Sequence, residues 1–155
     1  YENIAVGSPN ATREQVEAAA RAAQCHEFIS NLPDGYDTRI GDKGVFLSGG
    51  DAQRICVARA ILKNAPILVL DEATAFADPE NEYKMQQALQ HLIKNKTVII
   101  IAHRLSSIVS AQQIVVLKEG SIAQIGTHQK PGVYRQMWEA YTDAFQWELK
   151  TEYKA

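Results

Sequence analysis

The sequence predicts an α/β fold, with a helical subdomain over about residues 11–62 followed over residues 63–155 by part of a parallel sheet with flanking helices. Three observations predict it. Apolar residues recur at helical spacing in the first third of the chain, short apolar runs of strand length follow Pro66, and an amphipathic helical pattern separates the first two runs. Strands that alternate with helices are typical of parallel sheets whose faces are covered by helices.

The helical part has clear start and stop signals. Thr12 and Gln15 form a capping box, and Val16, Ala19, Ala20 and Ala23 then follow at helical spacing. A short helix is predicted over residues 27–30, before a turn at residues 32–35. The segment Ser48-Gly49-Gly50 opens a longer helix that runs to about Lys63, where Asn64 and Pro66 end it.

The second part alternates strands and helices. Residues 67–70 and 97–102 are predicted as strands buried on both faces. Asp78 and Pro79 are good first residues for the helix between them. A short helix at residues 105–109 and a hairpin of residues 114–117 and 122–125 around Glu119-Gly120 follow. An amphipathic helix ends the chain, with its apolar side chains at Tyr134, Met137, Trp138, Tyr141 and Phe145.

Composition limits the class of protein. The chain has 155 residues, 46% apolar and 22% charged, which is typical of one globular domain. A net charge of −2 provides no basic surface for nucleic acid or anionic membrane. Cys25 and Cys56 lie in helix-like patterns and are predicted as buried free thiols of a reducing compartment. The chain begins at Tyr1 without an initiator methionine, so we expect a fragment of a longer protein.

Two adjacent carboxylates follow the apolar run of residues 67–70. Asp71 and Glu72 therefore fall at the carboxyl end of a strand, the edge at which ligands bind in open α/β sheets. One acid would bind Mg²⁺, and the other would position and polarise a water for attack on a phosphoryl group. The alternative is a strand that ends in an ordinary capped turn.

A second candidate is the glycine-rich start of the helix at Ser48. Gly49 and Gly50 allow close approach of a ligand, and exposed N–H groups at a helix N-terminus attract anions such as phosphate. The alternative is a plain serine cap on a turn.

A third candidate is His103, directly after the strand at residues 97–102. An imidazole at this position can contact a terminal phosphate or orient the attacking water. The alternative is a histidine with a purely structural role.

Together these motifs resemble the ABC-transporter ATPase family. Leu47-Ser48-Gly49-Gly50 is similar to its signature motif, residues 67–72 to Walker B, residues 75–78 to the D-loop, and His103 to the switch histidine. The resemblance implies a P-loop NTPase fold of which this chain holds the C-terminal half. Asp51 departs from the family pattern, which has Gln at this position.

The resemblance implies a role for each motif. Two ATPase domains would pair head to tail around two ATP molecules. Asp71 would hold Mg²⁺ through water, Glu72 would act as base or position the water, and His103 would contact the γ-phosphate. Signature residues of the partner domain would complete each site. The residues expected to bind nucleotide or to communicate across the dimer are Ser48, Gly49, Gly50, Gln53 and Asp78.

Residues 38–44 resemble the X-loop of exporter-type members, which contacts the membrane domain. The resemblance thus implies a transmembrane domain as a partner, at the cytoplasmic face of a membrane, and ATP-driven transport as the function. The segment after Asp71 also resembles a variant in exporter-fold permeases that import iron–siderophore complexes. A soluble ABC-type ATPase of DNA repair or translation is disfavoured by this loop and by the lack of basic patches.

The sequence contains no Gly-x-x-x-x-Gly-Lys-Ser/Thr phosphate loop. We therefore expect catalysis only in a longer parent protein. The alternative is an inactive truncated module that supplies a signature motif or dimer contacts. Because the strand of that loop lies in the core sheet of the family, we also expect the isolated chain to be unstable, oligomeric or partly native.

Overall fold

The structure is a computed structural model that describes residues 1–71, 79–102 and 104–152. It divides into two compact units, residues 1–99 and residues 100–155. The first unit contains α1 (Glu2–Ala5), α2 (Arg13–Ala22), α3 (His26–Ser30), α4 (Gly49–Lys63), β1 (Ile67–Asp71), α5 (Pro79–Ile93) and most of β2 (Thr97–Ile101). The second contains β3 (Ile114–Lys118), β4 (Ser121–Gly126) and α6 (Val133–Glu152).

The capping box predicts the start of α2 correctly. The Thr12 backbone N–H donates to Gln15 Oε1 at 2.9 Å, and the Gln15 N–H donates to Thr12 Oγ1 at 3.3 Å. Behind this cap Val16 and Ala20 are fully buried in the core of the first unit. The small alanine side chains on the buried face of α2 allow this helix to pack closely against α4.

Helix α4 is the centre of the first unit, where it contacts α1, α2 and α5. Ser48 caps its start, and Asn64 ends it in the left-handed conformation at φ 49°, which asparagine tolerates better than most residues. Its partner α5 buries Met85, Ala88 and Leu92, an apolar stripe that recurs at helical spacing.

Strands β1 and β2 are neighbours in a two-stranded sheet. The N–H of Thr97, which begins β2, donates to the carbonyl of Pro66, directly before β1. The strands thus start side by side, and we infer that they run in the same direction, as the strand–helix–strand order predicts.

The burial of these strands corrects the sequence prediction. Leu68 is buried, whereas Ile67 and Val69 are 60% and 63% exposed and Ile99 is 53% exposed. The apolar sequence is that of a strand covered on both faces, but within residues 1–71 and 79–99 packing covers only one face of β1.

The second unit is built on the predicted hairpin. β3 and β4 pair antiparallel around Glu119 and Gly120, whose φ angles of 53° and 77° suit a tight hairpin turn. Ile114 and Val116 pack with Tyr134 of α6. The predicted helix at residues 105–109 is a 3₁₀ turn, Leu105–Ile108. The structure does not describe the side chain of Phe145 on α6.

The cysteine prediction is half correct. Both are free thiols, and Cys25 is buried, although it precedes α3 rather than lying in a helix. Cys56 is exposed because it lies on the side of α4 opposite the buried face, which carries Ile55 and Ala58.

Among the residues that the structure describes, no helix has the length and apolar character needed to cross a membrane.

Candidate functional site

The first part of the site is the start of α4. Ser48 has an extended backbone, φ −63° and ψ 159°, which lets its side chain turn back over the first turn of the helix. Its Oγ accepts the backbone N–H of Asp51 at 3.1 Å and donates to Asp51 Oδ2 at 2.7 Å. Ser48 and Gly49 are exposed, so the N-terminus of this helix faces solvent, where an anion could reach it.

The two glycines have different local roles. A Cβ added at Gly49 would meet no atom of the described residues within 4 Å, so the missing side chain leaves open space beside the helix start. A Cβ at Gly50 would lie 3.3 Å from Cγ of Asn81. Gly49 therefore leaves room for a ligand, whereas Gly50 lets α5 approach α4.

A buried arginine supports the helix start. Arg54 is 4% exposed, and its Nη2 forms an ion pair with Asp51 Oδ1 at 2.5 Å. Its Nη1 donates to Asn81 Oδ1 at 2.7 Å, and its guanidinium carbon lies 5.6 Å from the ring centre of Phe28. The structure thus brings Ser48, Gly50 and Asp51 together with Arg54 and Asn81.

The sequence alone predicted no role for Arg54 or Asn81. One signal was present: Asp51 and Arg54 are three residues apart on a predicted helix, a spacing at which opposite charges meet. Asn81 belongs to another element, 27 residues from Arg54 in the chain, so no local pattern indicates this contact. Gln53, predicted to bind nucleotide, lies half-buried within α4.

The carboxylate part of the site lies on another element. Asp71 is the last residue of β1 and is solvent-exposed. Glu72, Asp78 and His103 lie outside the described residues. Pro79 begins α5, as the helix signals at residues 78 and 79 predicted.

Asp71 could contribute one carboxylate to a magnesium site. Within the described parts of the chain, no three His, Cys, Asp or Glu side chains form a metal-binding group. A single exposed carboxylate is nevertheless a usual protein contribution to Mg²⁺, which keeps several waters and takes further oxygens from substrate phosphates. Asp71 could therefore hold the ion directly or through water.

Residues 38–44 form a closed turn in front of α4. The N–H of Val45 donates to Arg39 O at 2.9 Å, and the N–H of Gly44 donates to Gly41 O at 2.9 Å. A Cβ at Gly44 would lie 1.9 Å from Arg39 O, so only glycine fits this close approach of two backbone segments. Asp42 and Lys43 at the tip are exposed.

The buried thiol of Cys25, near α4, has a strongly shifted pKa. Burial raises the pKa of the Cys25 thiol to about 12, with Arg54 acting in the opposite direction. The thiol also donates to the carbonyl of Ala20 at 3.3 Å. Cys25 is therefore a protonated core side chain at neutral pH.

Comparison with known proteins agrees with the motifs. A family model described as ABC transporter matches residues 2–75. The mycobactin import ATP-binding/permease protein IrtA of Mycolicibacterium smegmatis is 54% identical over 142 residues, which are 89% of this chain and 16% of that protein. An ATP-dependent lipid A-core flippase of Legionella pneumophila is 53% identical over 141 residues, 88% of this chain and 24% of that protein.

A solved structure has the same fold. The structure of a bacterial Atm1-family ABC exporter with ATP bound matches at a TM-score of 0.77 and 42% identity, over 89% of this chain and 25% of that chain. The chain thus spans a quarter or less of the length of each of these three proteins. It belongs to the ABC transporter family, as part of an exporter-type ATPase domain.

Proposed function

We propose that this chain works within a longer transporter that binds and hydrolyses ATP to drive transport across a membrane. The observation that carries the proposal is the exposed start of α4, where Ser48 caps the helix and Gly49 leaves open space beside it. Free N–H groups, a hydroxyl and the positive end of the helix dipole suit the terminal phosphate of a nucleotide. The names of the relatives, all ATP-dependent or ATP-binding, support the same ligand.

Asp71, at the end of β1, and Glu72, the next residue in the sequence, would supply the other half of the chemistry. Asp71 would hold Mg²⁺, and the ion, when bound, would neutralise phosphate charge. Glu72 would position the attacking water and take its proton, and His103 would donate a hydrogen bond to a γ-phosphate oxygen. Roles for Glu72 and His103 come from the family resemblance of the motifs.

A head-to-tail pair of ATPase domains would unite these halves. Ser48, Gly49, Gly50 and Gln53 of one domain would close over ATP held by the other, and Asp78 would contact the partner domain. Phosphate charge then holds the pair together, and hydrolysis releases it, so one cycle can switch a membrane domain between two states.

The closed turn at residues 38–44 is the proposed contact with that membrane domain. Backbone hydrogen bonds fix its shape, and its exposed tip presents Asp42 and Lys43 as docking groups of opposite charge. This contact would place the chain at the cytoplasmic face of the membrane.

The experiment is ATP turnover by the intact transporter that contains this chain. We expect Glu72→Gln to lower kcat by about 10²-fold or more, the usual loss for a general base. Ser48→Ala should raise KM for ATP, because one phosphate hydrogen bond is lost. Glu27→Gln, an exposed position on α3, is the matched control and should have wild-type turnover. Wild-type turnover in Glu72→Gln would remove Glu72 from its role.

A second candidate applies to the 155 residues alone, and the absence of a phosphate-loop sequence favours it. The isolated chain would then be an inactive module that lends a signature motif or dimer contacts to another domain. Titration of a fluorescent ATP analogue onto the isolated chain tests this second candidate. Weak or absent binding is expected, and micromolar affinity would contradict the module.

A further inference from the structure

A chain of polar contacts leads from the candidate phosphate site into the protein interior. The Ser48 hydroxyl donates a hydrogen bond to Oδ2 of Asp51 at 2.7 Å. Nη2 of Arg54 donates to the other carboxylate oxygen, Oδ1, at 2.5 Å. Nη1 of Arg54 donates to Asn81 on α5 at 2.7 Å. The guanidinium group is thus fixed from two helices, while Nε, also buried, has no hydrogen-bond partner among the described residues.

The state of the serine hydroxyl matters for nucleotide binding. A bound phosphate oxygen is an acceptor and needs the hydroxyl proton, which in this structure is directed at Asp51. Binding of phosphate therefore requires the serine to exchange one acceptor for another. The charge of Asp51 also lies one hydrogen bond away from the position that the phosphate would occupy, where like charges repel.

Arg54 limits both effects. Arg54 is buried, so water only weakly screens its attraction to Asp51. It therefore neutralises the Asp51 charge more strongly than a solvent-exposed partner would. It also holds Oδ1 and so leaves only Oδ2 to compete for the serine. Asn81 keeps the guanidinium plane in place, and the missing side chain at Gly50 makes room for Asn81.

We propose that Arg54 is a positioning residue that acts through Asp51: it aims the Ser48 hydroxyl and screens the Asp51 charge from the nucleotide phosphate. On ATP binding, the hydroxyl transfers its hydrogen bond from Asp51 Oδ2 to a phosphate oxygen, while the Asp51–Arg54 pair stays intact. No covalent bond forms or breaks. This inference rests on the proposed function, because it needs a phosphate at Ser48.

The proposal predicts opposite effects for the two members of the pair. Asp51→Asn removes the repelling charge and weakens the acceptor that competes for the hydroxyl, so KM for ATP should fall about fivefold. Arg54→Met leaves Asp51 unscreened, so KM should rise about fivefold. In the double variant the charge that Arg54 screens is already gone, so the loss of Arg54 should add nothing, and KM should stay near that of Asp51→Asn, about fivefold below wild type.

The test measures kcat and KM for ATP in the intact transporter for the two single variants, the double variant and Arg54→Lys. Lysine keeps the charge but not the planar fork, so it should restore KM only in part. Lys63→Met, which removes an exposed charge at the other end of α4, is the matched control and should leave KM unchanged. Melting temperatures of all variants separate KM effects from loss of folded protein.

The outcomes are distinct. A purely structural role for the pair predicts that both single variants lower kcat or folded protein and shift KM in the same direction, and this would overturn the inference. Additive effects in the double variant would overturn it as well. If the wild-type transporter shows no ATP turnover, the proposed function fails first and this inference fails with it. Normal wild-type turnover with unchanged KM in both variants overturns the inference alone.

Discussion

The two thiols show how one side chain type acquires different chemistry from its position. Cys25 is fully buried before α3 and donates to the Ala20 carbonyl, whereas Cys56 faces solvent on α4. Burial penalises the thiolate and raises the pKa of Cys25 to about 12, so almost none of it ionises at neutral pH. The thiolate is the reactive form of cysteine, and the two residues should therefore differ in reactivity.

We expect iodoacetamide at pH 8 to label one thiol per native chain, at Cys56. Mass spectrometry of the labelled chain checks this, with Cys56→Ser as the control that should remain unlabelled. Both thiols should react after addition of denaturant, because unfolding exposes Cys25. Rapid native labelling of Cys25 would contradict its burial.

At the scale of elements, α5 packs against the core through one narrow stripe of apolar side chains. Leu92 is 2% exposed and packs into the core of the first unit, whereas the next residue, Ile93, is 38% exposed. The side chains are similar in size, but a rotation of about 100° along the helix separates them. Burial, not residue type, should decide their contributions to stability.

Leu92→Ala should lower the free energy of unfolding by about 2–5 kcal/mol, the usual cost of a buried leucine, since it removes apolar contacts and leaves a cavity. Ile93→Ala is the matched control, with an expected loss below about 1 kcal/mol. Urea denaturation followed by circular dichroism measures both variants. Equal losses would show that the two residues pack alike.

At the scale of the whole molecule, the sheet of β1 and β2 exposes apolar side chains. Ile67, Val69 and Ile99 are each more than half exposed, whereas Leu68 on the opposite face of β1 is buried. Exposed apolar strands are prone to association, because burying them against another surface removes apolar area from water.

We therefore expect the isolated chain to self-associate with rising concentration. Replacing Ile67 and Val69 together by threonine should weaken this association, because threonine keeps a β-branched shape but adds a hydroxyl. Sedimentation velocity over a concentration series measures it. Leu68→Thr is the control: it should lower the melting temperature without weakening association. A monomer at all concentrations would contradict the prediction.

Most helix and strand positions could be predicted from the sequence because their signals are local. The Thr12 capping box, the Ser48 cap, the Asn64 stop and the hairpin at Glu119-Gly120 each act within a few residues. The motif residues 48–50 and Asp71 could likewise be placed at the ends of their elements. The 3₁₀ form of Leu105–Ile108 could not be predicted, because the same short sequence pattern suits either helix type.

The sequence by itself determined the family and the order of its motifs, since each motif needs particular residues at short spacing. Only the tertiary structure decided which faces are covered and which polar groups meet. Burial of Cys25 but not Cys56, exposure of Val69, and the contact of Arg54 with Asn81 all depend on elements distant in sequence. Local patterns fix the direction of a side chain within its element, whereas only packing between elements fixes what that side chain touches.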